Sequence, residues 1–200
     1  IGDPEYIKTV VSGDVHTMHL EIIRGILNKP DHGTRDNAKT FIYSYVLGAG
    51  LESIAGTWGV EIEEAEEIKK QFPKRVPGLD AYLKDLHTFT KRHGYYEGLD
   101  GRHIDVKSKH YALSVVLQGD ESTIMKKAMI MWIKELYKHP VDYKLVNWVH
   151  DEWQTETQKE FADFVGRIQV QAIRDTGEYF KYRTPLDGEY KIGKTWLETH

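Results

Sequence analysis

Cysteine is absent from the 200 residues. No disulfide framework or thiolate metal site can therefore exist, which suits a reducing compartment, with the cytoplasm as the expected location. Long apolar runs are missing too. Nothing approaches the roughly 18 residues of a membrane span, and Ile1-Gly2-Asp3-Pro4 has neither a charged n-region nor an apolar h-region. No membrane partner is expected. An excess of positive charge is also lacking: 27 Lys and Arg stand against 31 Asp and Glu, a net charge of −4. Duplex affinity comes largely from cations that neutralise phosphates, so the sum speaks against nucleic-acid binding. The acid, however, is concentrated from Glu61 to Glu67, on what reads as a solvated helix face, whereas Arg24, Lys29, Arg35 and Lys39 cluster elsewhere. The chain begins at Ile1 rather than Met, so it is expected to be trimmed, processed or cut from something longer.

What is present is enough for a core. Hydrophobic residues make up 40% of the chain, with five Trp and twelve Tyr, in a length that suits one or two modest domains. Asp14 is placed to cap a helix through Met18, Ile22 and Ile26, which Asn28-Lys29-Pro30-Asp31-His32-Gly33 breaks. Thr34 is an N-cap for a helix from Arg35 to Leu47, ended by Gly48-Ala49-Gly50. Residues 51–58 and 61–72 read as helical, and Pro77-Gly78 opens an amphipathic helix to about His93, stopped by Gly94. Gly98-Leu99-Asp100-Gly101-Arg102 is turn chemistry between short extended pieces. A second long helix is expected over 110–138, with Leu113, Val116, Leu117, Ile124 and Met131 available for packing. From Tyr143 to Val149 the chain turns aromatic and branched, His150-Asp151 falls at a tight turn, and Trp153-Gln154-Thr155 resumes extended character, which reads as a β-hairpin. A helix from about Glu156 to Arg174 and an extended tail through Trp196 complete an α+β plan.

Two places carry chemistry. At 100° per residue, Arg35, Lys39, Tyr43 and Leu47 advance by only about 40° at each step and form one stripe; Ala38, Phe41, Ile42 and Tyr45 fall on another face. An Arg and a Lys one turn apart suit separate oxygens of a polyphosphate, and a ring one turn further suits a sugar or base. Any amphipathic helix shows charges at this spacing, so the stripe by itself also reads as a solvated face. The second place is Val149-His150-Asp151-Glu152, which puts acids at a hairpin tip where phosphoryl transfer could hold Mg²⁺. Neighbouring residues in extended chain face opposite ways, so Asp151 is the expected metal ligand and Glu152 a supporting acid. In isolation His-Asp-Glu also reads as a polar turn.

The strings themselves go further. Thr34-Arg35-Asp36-Asn37-Ala38-Lys39-Thr40-Phe41-Ile42-Tyr43 closely resembles the fingers helix of family A DNA polymerases, particularly those of short-tailed phages. Gly13-Asp14-Val15-His16-Thr17, the palm-like His150-Asp151-Glu152, His110 to Gln118, Gly98 to Arg102 and the close from Trp196 to His200 are similar to the same family, in the same order. The resemblance implies a helical fingers region over 14–107, followed by part of a polymerase palm over 108–200, with a connection remnant over 1–13. It implies template-directed deoxynucleotidyl transfer to a primer 3′ hydroxyl with two Mg²⁺ ions, and primer-template DNA and deoxynucleoside triphosphates as partners. His16, Arg35, Lys39 and Tyr43 would bind the triphosphate and border the deoxyribose. Asp151, Glu152 and Lys39 would serve catalysis, and Gln118, His150 and Leu47 would meet primer-template. His200 would be a natural terminus. Leu47 and Ser114 depart from the family, which has Tyr and Asn there. The family's first metal-binding Asp, and the Glu that packs near the residue matching Tyr43, belong to a strand before Ile1. An amino-terminal polypeptide supplying that strand, the thumb and any exonuclease is therefore expected. Two other readings remain open at this point: a non-catalytic binding module derived from a polymerase, and a phage-type RNA polymerase fragment, which Glu152 disfavours because that group follows its His-Asp with Ser.

Overall fold

The computed structural model describes residues 2–199; Ile1 and His200, including the expected terminus at His200, lie outside the described residues. Two compact units emerge. The first takes everything described up to Glu97 together with His103–Leu117, and the second takes Gly98–Arg102 with the described residues from Gln118 onward.

The first unit is built from helices whose ends follow local chemistry. Helix α1 (Pro4–Ser12) was not anticipated, although Asp3 caps it by accepting from the Tyr6 amide at 2.8 Å and Pro4 sits where a helix tolerates it. Helix α2 (Val15–Leu27) starts at the expected Asp14 cap and ends at left-handed Asn28. Helix α3 (Arg35–Val46) begins in a reciprocal capping box: the Asn37 amide donates to Thr34 Oγ1 at 3.2 Å, and the Thr34 amide donates to Asn37 Oδ1 at 2.8 Å. Asn37 Nδ2 also donates to the Thr57 carbonyl at 2.7 Å, tying α3 to α4 (Leu51–Trp58). Helix α5 (Ile62–Arg75) and helix α6 (Leu79–His93) follow.

The core of this unit gathers Ile23, Phe41, Ile54, Trp58, Ile68 and Phe72, all buried. Gly33 has a φ of +71°, and a Cβ there would lie 2.5 Å from the Trp58 ring, so only glycine lets the chain enter α3 over that ring. Strands β1 (Tyr95–Glu97) and β2 (His103–Asp105) pair antiparallel. A 3₁₀ turn (Lys109–Tyr111) then leads into helix α7 (Ala112–Leu136). A smaller core of Leu86, Ala112 and Val116 sits beside Tyr82, Tyr96 and Val106.

In the second unit, strands β3 (Tyr143–Val149) and β4 (Glu152–Thr157) form the expected hairpin, with Val149 opposite Glu152. A register shift between Leu145 and Asn147 leaves Val146 without a partner across the ladder, a β-bulge. Trp132 of α7 seats the hairpin, its ring 5.4 Å from Tyr143 and 5.9 Å from Trp153. Helix α8 (Ala162–Tyr179) starts later than the expected Glu156, because Thr155, Glu156 and Thr157 pair with β3 and the 3₁₀ turn Lys159–Phe161 intervenes. The tail, expected to be extended through Trp196, ends in helix α9 (Trp196–Thr199). Leu117, expected to pack, is 41% exposed, whereas Val116 and Ile124 are buried.

Candidate functional site

Helix α3 divides as its sequence pattern requires. Ala38 and Phe41 are buried, while Arg35, Lys39, Tyr43 and Leu47 are exposed along one side. Phe41 meets Phe72 edge-on at 5.0 Å and Trp58 at 6.0 Å, so the helix is seated by its aromatic face and offers the cationic face outward. Helix α2 adds to that outer face. The His16 ring lies 6.4 Å from the Tyr43 ring, and its Nδ1 is shut from solvent without a hydrogen-bond partner. Asp14 joins the two helices: its Oδ2 accepts from Arg35 Nε at 2.8 Å. That bond, with help from Thr17, holds the Asp14 carboxyl well below the usual carboxylate range, and raises Arg35 above its ordinary value in return. The first unit thus brings His16, Arg35, Lys39 and Tyr43 together on neighbouring turns of two packed helices.

The other two cations of the expected cluster are engaged in structure. Arg24 donates to the His32 carbonyl at 3.0 Å and the Gly33 carbonyl at 3.1 Å and pairs with Glu21, and Lys29 pairs with Glu64 at 2.6 Å. They brace the loop before α3 rather than extend the outer face. Leu47 is the C-cap of α3, and Gly48 after it, at φ +86°, passes so close to the His110 carbonyl that a Cβ would lie 2.7 Å from it.

In the second unit, His150 and Asp151 form the two-residue tip of the hairpin and both are exposed, with His150 in the left-handed region at φ +51°. Its carbonyl accepts from Trp148 Nε1 at 2.8 Å. Glu152 already belongs to β4, and its Oε1 accepts from Trp196 Nε1 at 3.2 Å and from Gln154 Nε2. The two acids therefore differ: Asp151 stands at the tip and Glu152 is engaged below it. Gln118 is exposed on α7, one turn beyond buried Ser114. Arg102 bridges Asp100 at 3.0 Å and Thr123, pinning the glycine-rich turn to α7. Among the described residues no group of three or more His, Asp or Glu is arranged to hold a metal ion. Asp151 still fits Mg²⁺ as a single hard oxygen ligand, since that ion commonly takes one or two carboxylates and fills its shell with water and phosphate.

Sequence reasoning missed Asp14 as a partner of Arg35 and Trp196 as a partner of Glu152. Each pair is far apart along the chain, 21 and 44 residues, and no local pattern announces it. No helix among the described residues is long and apolar enough to cross a membrane.

The model of the family described as DNA polymerase family A matches residues 2–198. The DNA-directed DNA polymerases of Enterobacteria phage T3 and Escherichia phage T7 are each 32% identical over 217 residues, covering 98% of this chain and 30% of theirs. DNA polymerase I of Aquifex aeolicus is 26% identical over 210 residues, covering 99% of this chain and 36% of its own. The chain thus spans about a third of the length of these curated relatives. In fold it is similar to the polymerase domain of Pol1 from M. smegmatis, solved in complex with DNA primer-template and dNTP, with a TM-score of 0.72 at 19% identity over 90% of this chain and 34% of that one.

Proposed function

The chain belongs to DNA polymerase family A, and from that premise we propose that it supplies the nucleotide-binding helix and one metal-binding carboxylate of a DNA-directed DNA polymerase. The observation that carries the proposal is the outer face of α3, where Arg35, Lys39 and Tyr43 lie exposed in sequence with His16 beside Tyr43. On this reading the Arg35 fork and the Lys39 ammonium bind separate oxygens of a deoxynucleoside triphosphate, and Tyr43 borders the deoxyribose. The cations also stabilise charge that develops on the phosphates during transfer. His16, half-buried beside Tyr43, stands at the same face and is expected to lie by the phosphate chain.

Residues 14–107 act as the fingers and 108–200 as part of the palm, with Gln118, His150 and Leu47 meeting primer-template DNA. Gln118 suits the minor groove, where a side-chain amide meets acceptors common to all base pairs. Asp151 would hold Mg²⁺, which lowers the charge barrier to attack by the primer hydroxyl when bound. Glu152, held by Trp196 and Gln154, supports the tip. Two-metal transfer takes carboxylates from separated strands, so a second acid is expected from polymerase sequence outside these residues. Such an enzyme would act in the cytoplasm, a host's if the chain is phage-encoded.

Primer extension with Mg²⁺ and the four deoxynucleoside triphosphates tests this, using the chain alone and mixed with an amino-terminal polymerase segment that bears the missing carboxylate. Extension only in the mixture, abolished by Asp151→Ala, is the expected result. Extension by the chain alone would remove the need for a second segment. Silence in both, with triphosphate binding intact, would favour a non-catalytic binding module.

A further inference from the structure

We propose that Asp14 is a positioning residue for the triphosphate, holding the Arg35 guanidinium by Nε and leaving its two terminal nitrogens for phosphate oxygens; this rests on the nucleotide-binding role of α3 given above. The carboxylate is itself anchored. Oδ1 accepts from the amides of His16 and Thr17 at 3.2 Å each, and Oδ2 accepts from Thr17 Oγ1 at 2.7 Å and Arg35 Nε at 2.8 Å. Both oxygens are engaged, two of the four bonds being the cap of α2. Arg35 is fixed at its other end as the first residue of α3, immediately after the Thr34 capping box. The guanidinium is therefore tethered from both sides.

A guanidinium carries five N–H donors, and the bond to Asp14 uses only the single donor on Nε. The parallel donors on the terminal nitrogens stay available for bidentate contact with phosphate. An untethered arginine surrenders rotamer freedom when a ligand captures it, and the tether removes part of that cost beforehand. A negative group beside an anion site also opposes the anion. Here the side chains of Arg35 and Asp14 are 51% and 45% exposed, so solvent screens that repulsion, and the helix amides and Arg35 itself already answer the charge. The geometric effect is not screened. Asp14 also ties the start of α2 to the start of α3, about two turns of α3 before Tyr43.

The test is calorimetric titration of the full chain with inorganic tripolyphosphate. Asp14→Ser keeps an N-cap of equal rank but is too short to reach Arg35, and Asp14→Asn keeps the cap through its one oxygen while turning an amide nitrogen, which cannot accept, toward Arg35 Nε. Asp14→Ser is expected to weaken binding about fivefold, with an unfolding curve like that of the parent, and Asp14→Asn, which also loses the acceptor for Arg35, to weaken it to a similar extent. In an Arg35→Ala background, which itself binds weakly, Asp14→Ser should cause no further weakening. Equal loss in both backgrounds would show that Asp14 acts through the fold and would overturn the proposal. Unchanged or tighter binding by Asp14→Ser, with Arg35→Ala still impaired, would make Asp14 a mere competitor of the phosphates and sink the positioning role alone. Full affinity in Arg35→Ala would sink the nucleotide-binding reading and the proposal with it.

Discussion

Replacing Phe41 with Ala removes the ring on which α3 is seated. Phe41 is 0% exposed, and its ring meets Phe72 at 5.0 Å and 86°, Trp58 at 6.0 Å and 65°, and Tyr45 at 5.5 Å. A buried Phe→Ala change costs about 3–5 kcal/mol, and each edge-on ring pair adds about 0.5–1.5 kcal/mol beyond area burial. With rings around the site and helix backbones behind them, collapse into the void is limited, which places the cost near about 4 kcal/mol. A domain has only about 5–15 kcal/mol in hand, so the loss is a large fraction of the unit's stability. Urea unfolding followed by indole ¹H–¹⁵N signals isolates it, because Trp58 lies in the first unit while Trp132, Trp148, Trp153 and Trp196 lie in the second. At a slope of about 2 kcal/mol per molar urea, the Trp58 midpoint should fall by about 2 M. A fall below about 0.5 M, equivalent to about 1 kcal/mol, would show that Phe41 does not seat the helix and would refute the packing argument.

Other expectations follow from the same contacts. His19 is 2% exposed, and burial, then neighbouring His16, bring its pKa from 6.5 down to about 4. The unfolded chain takes up the proton near 6.5 while the folded chain resists it until about 4, so stability is complete above 6.5 and is lost as pH falls through that window. The loss totals about 3 kcal/mol; His19→Leu should flatten urea midpoints measured across the window, and an unaltered slope would contradict the assignment. Lys39→Ala should weaken triphosphate binding about tenfold without shifting the unfolding midpoint, and unchanged affinity in a calorimetric titration would count against the stripe. His150→Gly should relieve a left-handed backbone at φ +51° and stabilise the hairpin by about 1 kcal/mol. Slower amide exchange across β3 and β4 would report it, and faster exchange would contradict it.

Much of this was legible because it is local. The Asp14 and Thr34 caps, the two faces of α3 and the His150-Asp151 turn are written in residues within a few positions of one another. Helix α1 carried its own start signal in Asp3-Pro4, but its residues are nowhere fully buried, so no apolar pattern drew notice to it. The ends of β4 and the start of α8 depended on ladder pairing with β3, which propensity does not contain. Arg24 and Lys29 looked like part of a positive patch because charge in a sequence does not show whether carbonyls or a distant Glu64 already hold it. Asp14 was legible as a cap, yet its reach to Arg35 needs the packing of α2 on α3. The same holds for Trp196 and Glu152, which meet only once the tail has folded back on the hairpin.

The most direct measurement is the change in ¹H–¹⁵N spectra of the chain as a deoxynucleoside triphosphate is added. Shifts concentrated at His16, Arg35, Lys39 and Tyr43, and lost in Lys39→Ala, are the predicted result. Shifts centred instead on the second unit, or none at saturating nucleotide, would contradict the claim that the outer face of α3 holds the triphosphate.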